Sequence, residues 1–135
     1  MFSAIFINMP VANLEKSLTF FKELGFGVNP KFTDGESACL IVTPNISVML
    51  SDKAKFETFV AKDVAPAGTT EMLVSIACDS ADRVREICSK AHSLGAEKVN
   101  DPEDIGFMFS WAFKDLDGHL WDFFWMDPTR LESEA

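Results

Sequence analysis

The chain has 135 residues, 47% of them apolar, and carries 12 basic against 21 acidic side chains, a net charge of −9. That size and apolar content suit one domain with a real core, while the acidic balance and the lack of any basic run exclude nucleic acid and anionic membrane surfaces as expected partners. No apolar run reaches the roughly 20 residues of a bilayer span, and Met1-Phe2-Ser3-Ala4 lacks the basic start of a secretory signal, so a cytoplasmic protein is expected.

Residues 3–9 read as a first strand, stopped by Pro10, which has no N–H for a ladder. Asn13 then offers a cap, Leu14, Leu18, Phe21 and Leu24 recur at helical spacing, and Gly25 supplies a left-handed stop, which predicts a helix over 13–24. Residues 26–33 and 37–43 are β-rich and joined by Asp34-Gly35, a tight-hairpin signal, and Pro44-Asn45 turns the chain into a strand over 46–50. Residues 51–70 hold a short amphipathic segment with Phe56, Phe59 and Val60 on one side, followed by Pro66-Ala67-Gly68. It reads either as a lid or as a surface helix that packs its Phe pair.

The order then repeats. A strand over 72–78 leads to Ser80 as a cap and a helix with the stripe Val84, Ile87, Cys88, Ala91 and Leu94, ended by Gly95. Strands follow near 97–99, over 106–114 and over 120–125, with Asp117-Gly118 turning the last hairpin, and the polar tail after Pro128 is expected to fray. Asn13 and Ser80 are 67 residues apart, as are Phe6 and Leu73. The organisation is therefore α+β, one domain over 1–135 built of two β-α-β-β-β modules at about 1–51 and 71–127, joined by a linker over 52–70. Cys39, Cys78 and Cys88 lie in apolar segments with no CxxC pair and read as reduced core thiols. Thirteen Phe, three Trp and no Tyr favour a wide apolar core or pocket over a proton relay.

Val11-Ala12-Asn13-Leu14-Glu15-Lys16-Ser17, then Phe20-Phe21 and Leu24-Gly25-Phe26, resemble the opening signature of the vicinal-oxygen-chelate superfamily of glyoxalases and bleomycin-resistance proteins. Phe113-Lys114-Asp115-Leu116-Asp117-Gly118-His119-Leu120-Trp121-Asp122 resembles its closing signature. The resemblance implies that each module curls into half of an open, barrel-like pocket, with metal ligands on the first and last strand of each module in the metal-dependent members. Carried over by motif spacing, those positions are Phe6, Met49, Leu73 and Asp122, of which only Asp122 can ligate a divalent ion. No cofactor is expected, and a divalent metal is disfavoured. The two histidines do not restore the site: His92 falls on the second helix and reads as a solvated helix residue, and His119 reads as a turn residue.

Counting in twos along the strands puts Asn8, Ser47, Ser75, Ala77 and Phe124 on the faces that hold Phe6, Met49, Leu73 and Asp122. The ligand-binding candidates are thus Phe6, Asn8, Ser47, Met49, Leu73, Ser75, Asp122 and Phe124, and the catalytic candidate is Asp122. Asp122 stands among Trp121, Phe123, Phe124 and Trp125, so it serves either as a ligand acceptor or base, or simply bonds to Asn8, Ser47 or Ser75. Phe107, Met108, Phe109 and Trp111 make a strand that is apolar on both faces and needs cover on both. With the habits of the family, this points to a homodimer. Three functions compete: a metal-free protein that binds or sequesters an apolar or aromatic small molecule, a lyase or isomerase that uses Asp122, and a structural or regulatory dimer with a vestigial pocket.

Overall fold

In the computed structural model, which describes residues 1–60, 64–66 and 68–129, the chain divides into two compact units between Pro66 and Ala67. In the first unit β1 (Ile5–Val11) leads to α1 (Leu14–Glu23). The Asn13 side chain accepts a hydrogen bond from Lys16 N at 3.0 Å, which starts the helix, and Gly25 at φ 99° ends it. β2 (Gly27–Val28), β3 (Ser37–Thr43) and β4 (Ile46–Asp52) complete a sheet of order β1-β4-β3-β2, with β1 parallel to β4 and the other pairs antiparallel. α2 (Lys53–Val60) follows β4 directly, inside the expected linker, and packs against β1 and β4. Of its Phe pair only Phe56 is half-buried; Phe59 is 56% exposed, with the Lys55 ammonium 5.6 Å from its ring centre.

The expected strand over 26–33 forms only over Gly27–Val28, which pairs with Ile41 and Leu40 of β3. It stops after two residues because Pro30 cannot donate to a ladder and Asn29 accepts from Lys31 N at 3.0 Å, which makes a 3₁₀ turn over Pro30–Phe32. Asp34-Gly35 does reverse the chain, because the Asp34 carboxylate accepts from Glu36 N and Ser37 N, but β2 ends at Val28, short of the turn, so no tight hairpin results.

The second unit repeats the plan with β5 (Leu73–Ala77), α3 (Ala81–Ser93), β6 (Glu97–Lys98), β7 (Glu103–Asp104), β8 (Met108–Lys114) and β9 (Leu120–Met126). Ser80 Oγ accepts from Arg83 N at 3.1 Å to start α3, and Gly95 at φ 106° follows its end. The sheet order is β5-β9-β8-β6, with β7 also on β8. β7 went unforeseen because two acidic residues carry little strand propensity, and pairing with Ser110 and Phe109 imposes the extended form. The sequence reading of a duplicated β-α-β-β-β fold is met, in two sheets that do not close into a barrel.

Each helix covers one face of its own sheet. In the first unit Met9, Val11, Leu40, Val48 and Leu50 are buried with Phe20, Phe21 and Leu24, and in the second Phe113, Trp121 and Phe123 are buried with Val84, Cys88 and Ala91. Phe113 and Phe123 stack at 5.7 Å. At about 1.5–3 kcal/mol per fully buried large side chain, these two cores supply the main drive to fold. Cys39 and Cys88 are buried, Cys78 is half-buried, and all three are free thiols. Burial, with Cys78 and Asp122 adding to it, pushes the Cys88 thiol up to about 12, so it is not a nucleophile at neutral pH. The tail beyond Thr129 lies outside the described residues, as do 61–63 and Ala67 in the stretch read as linker.

Candidate functional site

Strand pleating leaves each sheet a second face, opposite its helix, and the candidate residues fall there. In the first unit the register aligns Phe6 with Ser47 and Asn8 with Met49 across β1 and β4. These four residues therefore share the face that carries none of the helix-packed Ile7, Met9, Val48 and Leu50. The 3₁₀ turn adds Phe32, whose ring meets that of Phe6 edge-on at 6.1 Å, and both rings stay about half exposed, at 52% and 49%. The turn that replaced the expected strand thus contributes an aromatic to this face, and an Asn-Pro start was its sequence signal. Asn8 Nδ2 donates to Phe6 O at 3.4 Å.

In the second unit Leu73 pairs with Leu120, Ser75 with Asp122 and Ala77 with Phe124. Leu73, Ser75, Asp122 and Phe124 thus share one face, as counting in twos expects, and Trp121 and Phe123 point to the helix side. The Ser75 hydroxyl donates to the Asp122 carboxylate. Burial raises the Asp122 carboxyl above the ordinary aspartate range and the Ser75 bond pulls it partly back. Of the three bonding partners the sequence allowed, Ser75 is the one the β5–β9 register selects.

The donor set does not fit a divalent metal. Phe6 and Met49 are diagonal neighbours on one sheet and offer a ring and a thioether; Leu73 and Asp122 are diagonal neighbours on the other and offer one carboxylate. No cluster of three or more His, Cys, Asp or Glu suited to a metal ion occurs among the described residues. Structural zinc asks for four such ligands and catalytic zinc for three.

His92 departs from its expected role as a solvated helix residue. Its ring lies 5.1 Å from that of Trp111 and 6.4 Å from that of Phe113, and Nε2 is enclosed with no hydrogen-bond partner. Burial, then the nearby Lys98 ammonium, lowers its pKa below the usual 6.5. A histidine that resists protonation in the folded state leaves the unfolded chain holding more protons as pH falls below 6.5, so stability is lost over the range below that value. His92→Phe is expected to flatten this acid slope in thermal melts between pH 7 and 5; an unchanged slope would assign it to other groups.

Asp115, noted in the sequence only as part of a motif, is 4% exposed and organises the five-residue loop between β8 and β9. Oδ1 accepts from Asp117 N at 2.9 Å and His119 N at 3.0 Å, and Oδ2 from Trp121 Nε1 at 2.9 Å, with Gly118 at φ 85° completing the turn. His119, the other histidine, thus belongs to this loop. Burial raises the Asp115 carboxyl, against the pull of His119 and of these hydrogen bonds. No described helix is long and apolar enough to cross a membrane.

Two modules of β-α-β-β-β, each with a helix packed on its sheet, define the glyoxalase and bleomycin-resistance fold. Residues 4–43 match the family described as bleomycin resistance protein-like N-terminal. No curated protein matches the chain. Among solved structures, the hypothetical protein SA1046 from S. aureus is similar at 25% identity and TM-score 0.78, over 92% of this chain and 94% of that one. A glyoxalase/bleomycin resistance protein/dioxygenase family enzyme from Burkholderia phytofirmans PsJN is similar at 12% identity and TM-score 0.78, over 90% and 96%. The bleomycin resistance determinant encoded on transposon Tn5 is similar at 17% identity and TM-score 0.61, over 90% and 96%. The whole chain thus shares the fold of the glyoxalase and bleomycin-resistance proteins, and its first module matches their family model.

Proposed function

We propose that this protein binds a small organic ligand without a metal ion, on the faces of its sheets that the helices leave open, with Asp122 as the acceptor that orients the ligand. The carrying observation is the residue set at the four positions the family resemblance marks for metal ligands: Phe6, Met49 and Leu73 are apolar, and Asp122 is a half-buried carboxylate bonded to Ser75. Apolar walls with few polar groups are the usual chemistry of a small-molecule site. Exposed Ile5, Phe6, Phe32 and Leu73, each about half exposed or more, also support assembly as a homodimer that covers apolar surface.

The raised carboxyl of Asp122 favours one second reading, a lyase or isomerase in which Asp122 takes a proton from a bound substrate. One set of measurements separates these readings. Protein isolated without chelator is expected to sediment as a dimer, to hold less than about 0.1 metal ion per chain, and to show no rise in melting temperature with Zn²⁺, Ni²⁺, Mn²⁺ or Mg²⁺. Aromatic probes are expected to shift the amide resonances of Leu73, Ser75 and Phe124, and Asp122→Asn to weaken them by about 10-fold, the order of a charged hydrogen bond. One metal ion per chain would overturn the metal-free reading, and silence at those amides would leave only a structural role.

A further inference from the structure

The register of the second unit fixes what stands around Asp122 on its open face. Ser75 is its partner on β5 and Ala112 its partner on β8. Lys114, two residues beyond Ala112, points to the same face opposite Leu120, one step along the ladder from Asp122. Diagonal neighbours of this kind stand about 7–8 Å apart between backbones, within reach of a lysine side chain. Both groups are half-buried, yet they do not pair: the Asp122 carboxylate responds to burial and to Ser75, and not to any lysine. Nor does Lys114 pair with Glu97, its exposed cross-strand neighbour.

Asp122 is thus partly desolvated, and Lys114 stands on the same largely apolar face without compensating it. A cation brought to Asp122 would offset that desolvation, and Lys114 is left to meet an anion. Between them lies the small side chain of Ala112, and Leu73 and Phe124 flank them as apolar surface.

We infer that the ligand of this face is amphoteric, with a protonated amine on Asp122, a carboxylate on Lys114 and an apolar body against Leu73 and Phe124. This rests on the ligand-binding reading of the open face and adds to it the charge type that is selected. Asp122 accepts from the amine on the side not taken by Ser75, and Lys114 donates to the carboxylate. The arrangement discriminates against a purely cationic or purely anionic molecule, because either leaves one half-buried charge unmatched.

Three probes with one ring test this: free phenylalanine, phenethylamine and 3-phenylpropionate, titrated into the full-length protein and followed by amide resonances. The amphoteric probe is expected to bind about 10-fold or more tightly than either of the others, as one added charged hydrogen bond allows. Lys114→Met is expected to bring it down to the affinity of phenethylamine, and Asp122→Asn to that of 3-phenylpropionate. Equal binding of all three, tighter binding of the amine or the acid alone, or indifference to both substitutions would overturn the charge assignment and leave the ligand-binding reading standing. No response to any probe at Leu73, Ser75 or Phe124 would overturn both.

Discussion

Asp115→Ala is expected to lower the unfolding free energy by about 3–5 kcal/mol, the range for stripping a buried charged group from its partners. Three donors lose their acceptor at once: the backbone N–H groups of Asp117 and His119 and the indole N–H of Trp121. Trp121 is fully buried, so its N–H finds no water in exchange. Asp115→Asn keeps one acceptor oxygen and presents an NH₂ where the other stood, so an intermediate loss of about 1–3 kcal/mol is expected. The pH dependence carries a definite sign. Burial raises the folded carboxyl above its unfolded value, so the folded state holds the proton longer. The proton-linked part of this group's contribution is therefore full below about pH 3.8 and is lost as pH rises through the folded value, while the hydrogen bonds that the carboxylate accepts remain. Urea unfolding followed by tryptophan fluorescence reads both effects. A loss under about 1 kcal/mol for Asp115→Ala would mean that the loop does not depend on this carboxylate.

Asp115 also marks where sequence reading ran out. Its motif was visible, and so was the turn at Asp117-Gly118, but the partner that makes the carboxylate structural, Trp121, is six residues on and facing inward, a fact of packing. The helix ends were legible because a cap is a local event: Asn13 and Ser80 each bond a backbone N–H three residues ahead. The faces of the strands were legible as well, since alternation alone places Phe6, Asn8, Ser47 and Met49 together, and Leu73, Ser75, Asp122 and Phe124 together. Which hydroxyl bonds Asp122 was not, because alternation treats Ser47 and Ser75 alike and only the β5–β9 register distinguishes them. The strand over 26–33 was cut to Gly27–Val28 for a local reason that was present in the sequence, Asn29-Pro30. His92 failed for a non-local one, since the ring that covers it, Trp111, comes from β8.

Phe21→Ala is expected to lower the unfolding free energy by about 3–5 kcal/mol, and Phe21→Leu by less, about 1–2 kcal/mol, because a smaller cavity remains. Phe21 is 1% exposed, and its ring meets Phe20 at 5.0 Å and Phe26 at 5.3 Å, both edge-on. Those three residues are the Phe-Phe and Leu-Gly-Phe of the opening signature, joined through the turn at Gly25. The signature is thus a packing cluster: Leu24 at 4% exposure caps the helix and fills the same core. The opening signature therefore specifies the fold, and fold alone does not set chemistry. Chemical denaturation of the two variants tests the packing claim. A loss near zero for Phe21→Ala would show that the signature is retained for some role other than filling the core of the first unit.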